Sequence, residues 1–251
     1  MPKGIERQNV RKEEQAVAKA TNLQQVKSTA KAFLYLDLQR TGFGDMFVVH
    51  PFFDSAFQAI MQDGEQRIVN ILQDEEAFNA IKKDCASRID NARSAEDVFF
   101  LVRQPFKLAL LKHTKPYLSK RDFSELLGDI WTESENPNND PNVTPSQAAS
   151  YFRQANKKYL MTEEEYRHYL ELPDKFTVYR GVSIGRVRNG LSWTADKEIA
   201  TWFSHRFDTA DKKGYLLCAE ITKGQALAYF CRREEEIVVD TKRMENIKVI
   251  E

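Results

Sequence analysis

Along the first two-thirds of the chain apolar residues recur at three- and four-residue steps, and along the last third they alternate with polar ones. Residues 6–39 hold strong helix formers with neither glycine nor proline. Val17, Ala20, Leu23, Val26, Ala30, Phe33 and Leu34 trace the stripe of an amphipathic helix or a broken pair. Thr41-Gly42-Phe43-Gly44-Asp45 breaks that pattern. The aromatic-dense stretch 46–57, with His50-Pro51 at its middle, reads as a packed turn between helices, and residues 56–72 and 75–89 read as further helix, interrupted near Asp63-Gly64 and Gln73-Asp74. A third stripe, Phe123, Leu126, Leu127 and Ile130, predicts a helix over 119–131. Residues 136–143, rich in asparagine and proline, read as a loop with nothing to bury. Thr144-Pro145-Ser146-Gln147 and Thr162-Glu163-Glu164-Glu165 have the spacing of capping boxes, each opening a helix.

From Pro173 the period changes. Residues 175–182, 214–221, 226–231 and 236–239 are rich in β-branched and aromatic side chains, and 246–250 adds an edge candidate. Between them, Leu191-Ser192-Trp193-Thr194 alternates, so Ser192 and Thr194 share one face while Leu191 and Trp193 take the core side. Thr194 is read as the cap of a helix whose Ile199, Trp202 and Phe203 pack inward. The expected class is α+β: a helical region over 1–172 and a β-rich core over 173–251.

Composition sharpens this only in part. Hydrophobic content of 42% and 16 phenylalanines require a folded core. Lysine plus arginine equals aspartate plus glutamate, 37 each, so the whole chain offers no electrostatic argument for a nucleic-acid or membrane partner. The basic lean of Lys3, Arg7, Arg11, Lys12 and Lys19 reads as a solvated face. Cys85, Cys218 and Cys231 make no metal-ligand pattern, and an odd, sparse set fits a reducing compartment. With no signal-like apolar run and no stretch near the ~20 residues that span a bilayer, a cytoplasmic setting is expected, the cell's own or a host's.

Candidate chemistry lies in three strand ends, in order. Val178-Tyr179-Arg180-Gly181 sets an arginine before a glycine that lets backbone turn or admit a ligand. The strand of Ser192 and Thr194 follows. Arg233-Glu234-Glu235-Glu236 then runs into the apolar Ile237-Val238-Val239, and alternation places Glu234 and Glu236 on one side. Taken singly, these are a sheet salt bridge, a strand–helix junction and an acidic turn.

Taken in this order, they resemble the arginine–serine–glutamate branch of the ADP-ribosyltransferase superfamily, which includes bacterial toxins, vertebrate ecto-transferases and phage enzymes. The resemblance covers roughly residues 176–239; Trp193 stands where the family usually has a small residue, and the segment 182–189 is short. It implies a split β-sandwich and NAD as substrate. NAD would be held by Arg180 with Gly181, by Ser192 and Thr194, and by Glu236. Ser192 and Glu236 would be catalytic, with Glu234 as the second glutamate typical of members that modify arginine. Arg186 and Arg188, in the loop between, would supplement phosphate binding or stay solvated. The expected activity is transfer of ADP-ribose to a protein side chain, arginine by the same resemblance, with the helical region binding the target or positioning the enzyme. An NAD glycohydrolase and a non-catalytic module with the same fold are the competing readings.

Overall fold

The computed structural model describes residues 20–62, 64–231 and 235–250; the basic lean before Ala20 and Glu234 lie outside them. The chain divides into two compact units, Met1–Asp122 and Phe123–Glu251.

In the first unit, α1 (Leu23–Leu34) buries Val26, Ala30 and Leu34 at four-residue steps. Two hairpins follow, β1 (Gln39–Thr41) with β2 (Gly44–Val49) and β3 (Phe57–Gln62) with β4 (Glu65–Asn70). The helix expected over 56–72 is therefore a hairpin. Phe57, Ala59 and Met61 sit across from Asn70, Ile68 and Gln66, a two-residue rhythm, whereas Phe57, Ile60 and Met61 read alone fit helical steps. Gly64, with φ of 81°, makes the turn that decides between them. Met46 to Val49 likewise belong to a strand and not to a turn between helices. His50 is buried as a structural group: its Nδ1 accepts from the Phe52 amide at 3.1 Å and its Nε2 meets the Leu36 carbonyl at 3.1 Å. Desolvation pulls its pKa down, in keeping with a neutral ring. Three helices complete the unit, α2 (Glu75–Asn91), α3 (Ala95–Phe100) and α4 (Gln104–Thr114).

The second unit opens within α5 (Lys120–Glu133) and continues through α6 (Pro145–Gln154), α7 (Lys157–Leu160) and α8 (Glu163–Glu171). Both predicted capping boxes form, at Thr144 with Gln147 and at Thr162 with Glu165. The sheet comprises β5 (Lys175–Val182), β6 (Ser192–Thr194), β7 (Tyr215–Thr222), β8 (Ala226–Phe230), β9 (Glu236–Val239) and β10 (Lys248–Val249), with one helix, α9 (Lys197–His205), after β6. The spatial order is β10-β7-β5-β6-β9-β8 and every pairing is antiparallel. The protein is thus of mixed α+β class.

The two units meet at 122/123 and not at 172/173, with α6 to α8 in the same unit as the sheet and tied to it. The Tyr229 amide donates to the Met161 sulfur at 3.3 Å and the Cys231 amide to Glu165 at 3.2 Å. Arg153 pairs with the buried Asp240 at 2.6 Å.

One junction in the sheet is thin. β5 pairs with β7 along its whole length, Lys175 with Thr222 to Val182 with Tyr215, but meets β6 at a single pair, Tyr179 with Thr194. Past that pair β5 and β6 part, and the gap is where the candidate residues gather.

Candidate active site

Arg180 comes from β5 one residue past the thin junction. Its Nη1 donates to the Ser192 carbonyl at 2.7 Å and its Nη2 to the Val187 carbonyl at 2.9 Å. The side chain thereby replaces the backbone bonds that β5 and β6 no longer make. Gly190 lets it do so, since a Cβ there would collide with the guanidinium. Arg180 is 7% exposed and its Nε has no hydrogen-bond partner. Burial lowers its pKa to about 10, against the opposing pull of the Glu236 charge, so it remains a cation at neutral pH. The open fork expected for a ligand is therefore largely committed to two carbonyls.

Ser192 and Thr194 share a face of β6 as alternation requires, while Leu191 and Trp193 are buried. Thr194 sits directly across from Glu236 in register, with Ser192 across from Val238. Thr194 does not cap the next helix. Asp196 does, accepting from the amides of Glu198 and Ile199 at 2.7 and 3.1 Å, and Thr194 Oγ1 accepts from the Asp196 amide at 3.1 Å.

Glu236 is the first residue of β9 and half-buried, with the indole Nε1 of Trp131 donating to its Oε1 at 2.9 Å. Trp131 is 1% exposed, its ring edge-on to Phe152 at 4.9 Å. A charged acceptor makes this one of the stronger hydrogen bonds of the site. Glu235 adopts φ of 44°, a left-handed conformation uncommon for glutamate, so strict alternation is not kept through it. Glu234 lies outside the described residues.

Arg180, Gly181, Ser192, Thr194 and Glu236 all line one cleft of about 610 Å³, within the range of small-molecule and cofactor sites. Gly181 has a packing role besides: an added Cβ would strike the Ala200 carbonyl oxygen and the Ser204 amide nitrogen of α9. A Cβ at Gly214 would likewise meet Ser204 and Val182 backbone. α9 therefore lies close on the sheet through the small residues Ala200 and Ser204. That overturns the expected inward face: Trp202 is 59% exposed, and Ile199 and Phe203 line the cleft.

Two residues of the site escaped the sequence reading. Trp131 was legible only as the end of an apolar stripe. Asn138 was assigned to a loop with nothing to bury, yet it is 6% exposed in a 3-10 turn over Pro137–Asn139. Its Oδ1 accepts from the Leu191 amide at 2.6 Å and its Nδ2 donates to Ser192 Oγ at 2.8 Å. Asn139 beside it bonds Gly185 and Val187 across the same gap, at 3.2 and 3.3 Å. The only available hint was the density of asparagines, whose amides bridge backbone readily. We expect Asn138→Ala to strand the Leu191 amide and release the serine hydroxyl. The melting temperature should drop modestly, in line with the ~1–3 kcal/mol that an unmet buried donor costs, as thermal unfolding beside the wild type would show. An unchanged melting temperature would mean that the Leu191 amide finds another partner.

Comparison with protein-family models, with curated proteins and with solved structures finds no match in any of the three. Among the described residues no helix is long and apolar enough to cross a membrane.

Proposed function

We propose that this protein is a mono-ADP-ribosyltransferase that cleaves the nicotinamide–ribose bond of NAD and passes ADP-ribose to a protein side chain. The observation that carries the reading is the Glu236 carboxylate, fixed by Trp131 Nε1 on the wall of a 610 Å³ cleft, with Thr194 directly across from it and Ser192 and the buried Arg180 cation on the same cleft. The thin junction between β5 and β6 is what a split β-sandwich would need, and so favours the same fold type.

The chemistry asks for this set. As nicotinamide leaves, positive charge grows on the ribose, and a carboxylate held beside it stabilises charge the ground state lacks. At ~4 Å and an effective dielectric near 20, a full charge pair is worth roughly 4 kcal/mol. That is about three orders of magnitude in rate. Glu236 takes this role. Ser192, with its oxygen already accepting from Asn138, has its own proton to offer a ribose hydroxyl or the glutamate. Arg180 shapes the gap and contributes its charge from beneath. For the acceptor we infer arginine, on the resemblance that sets Glu234 two residues before Glu236. Target binding is assigned to the first unit.

The test is nicotinamide release from NAD by the purified protein, with and without cell lysate, beside transfer of label to protein. Release with labelling supports the transferase. Release without labelling makes it a glycohydrolase, and no release with a folded protein leaves a non-catalytic module.

A further inference from the structure

With two nitrogens of Arg180 tied to carbonyls, the cleft needs other groups to grip an anionic ligand. Two more arginines line it, Arg186 from the loop after β5 and Arg206 at the end of α9. Their guanidinium carbons lie 5.4 and 5.1 Å from the centre of one ring, that of Phe207, which also lines the cleft. Arg206 lies in addition 5.4 Å from the Trp202 ring. Two flexible cations are thereby held against one aromatic ring.

Neither arginine is well neutralised. Among the described residues Arg206 has an ion pair only with Glu135, at 3.9 Å and with that carboxylate 78% exposed, a pair of little weight in water. Arg186 makes no ion pair among the described residues, and its charge is felt by Arg180 as a repulsion. The cleft carries three guanidinium groups beside the carboxylates of Glu133, Glu135 and Glu236, and Arg186 and Arg206 are the pair that share an aromatic ring. A purely local role, Arg206 beside the last carbonyls of α9, would explain Arg206 but not why Arg186 is drawn to the same ring. Arg188, the other loop arginine, is exposed and does not line the cleft.

We propose that Arg186 and Arg206, steadied on Phe207, form an anion clamp that takes the diphosphate of the dinucleotide, leaving Arg180 to staple the strands. Two guanidinium groups on one ring suit an anion with oxygens on two linked phosphorus atoms, each fork meeting one phosphate. The identity of the ligand rests on the NAD reading; the clamp itself rests on the ring and its two arginines.

The test is calorimetric titration of the full chain with inorganic pyrophosphate and ADP, with adenosine and nicotinamide as phosphate-free controls, for wild type, Arg186→Gln, Arg206→Gln and the double variant. Pyrophosphate and ADP should bind the wild type and weaken as salt rises. Each single change should cost about tenfold or more in their affinity, while the controls move less than about twofold. Wild-type affinity for both anions in the double variant, or no anion binding by wild type, overturns the clamp. Should pyrophosphate bind through these arginines with no NAD cleavage, the clamp stands and the transferase reading falls. Should NAD be cleaved with unchanged KM in the double variant, the reverse holds.

Discussion

Glu236→Gln is expected to lower the rate of nicotinamide release by about a thousandfold while leaving the fold intact. The amide keeps the volume of the glutamate and an oxygen that can accept from Trp131 Nε1, so packing at the start of β9 is preserved. What disappears is the negative charge, and the Coulomb figure of roughly 4 kcal/mol sets the size of the loss. The measurement is initial rate at saturating NAD, with thermal unfolding run beside it. A rate within tenfold of wild type, in a variant that melts normally, would remove Glu236 from the chemistry and with it the enzyme reading.

Gly181→Ala is expected to destabilise the second unit by about 3 kcal/mol or more, among the largest effects of so small a change. Its Cβ would overlap the Ala200 carbonyl and Ser204 amide of α9, both backbone, with the Phe203 carbonyl carbon at 2.8 Å. A flexible side chain could move aside; a helix backbone has to slide as a body, and overpacking of that kind costs ~1–3 kcal/mol or more. Gly224→Ala is the matched control. There a Cβ meets only Thr222 Oγ1 at 3.9 Å, and the change should stay within about 0.5 kcal/mol. Urea unfolding of both variants gives the comparison. Equal midpoints would mean that α9 does not lie as close to β5 as it is described.

The strand periods after Pro173 were legible because β-branched runs and two-residue alternation mark a half-buried sheet without reference to anything distant. Ser192 and Thr194 on one face, Trp193 inward and Glu236 at the head of an apolar strand all follow from that local rule. The face of α9 was misread for a physical reason: periodicity weighs large apolar side chains, whereas Ala200 and Ser204 are buried against Gly181 and Gly214. Close backbone approach selects small residues, and a stripe of small residues carries no hydrophobic signal. The hairpin of β3 and β4 had a local signal in Asp63-Gly64, a hairpin-turn dipeptide that also reads as a break between two helices.

Trp131 and Asn138 are a different case. Each is bound to a residue far along the chain, Glu236 and Ser192, through one or two directed hydrogen bonds. Nothing local distinguishes an indole that will meet a carboxylate from one that merely fills a core. The helical stretch before Pro173 looked like a separate targeting device, yet residues 131–138 within it line the cleft.

The order in which the sheet is strung has a bearing on when this molecule becomes competent. β9 lies between β6 and β8, both of which precede it in the chain, so during synthesis two open strand edges must wait for the segment that joins them. Such non-local insertion is slow to nucleate, because the loop entropy is lost before the pairing is gained. The strand that arrives last among those three is also the one that brings Glu236. A nascent or half-refolded chain therefore holds its arginine, its serine and its asparagine clip without Glu236, and on the proposed reading NAD cleavage begins only when the sheet closes.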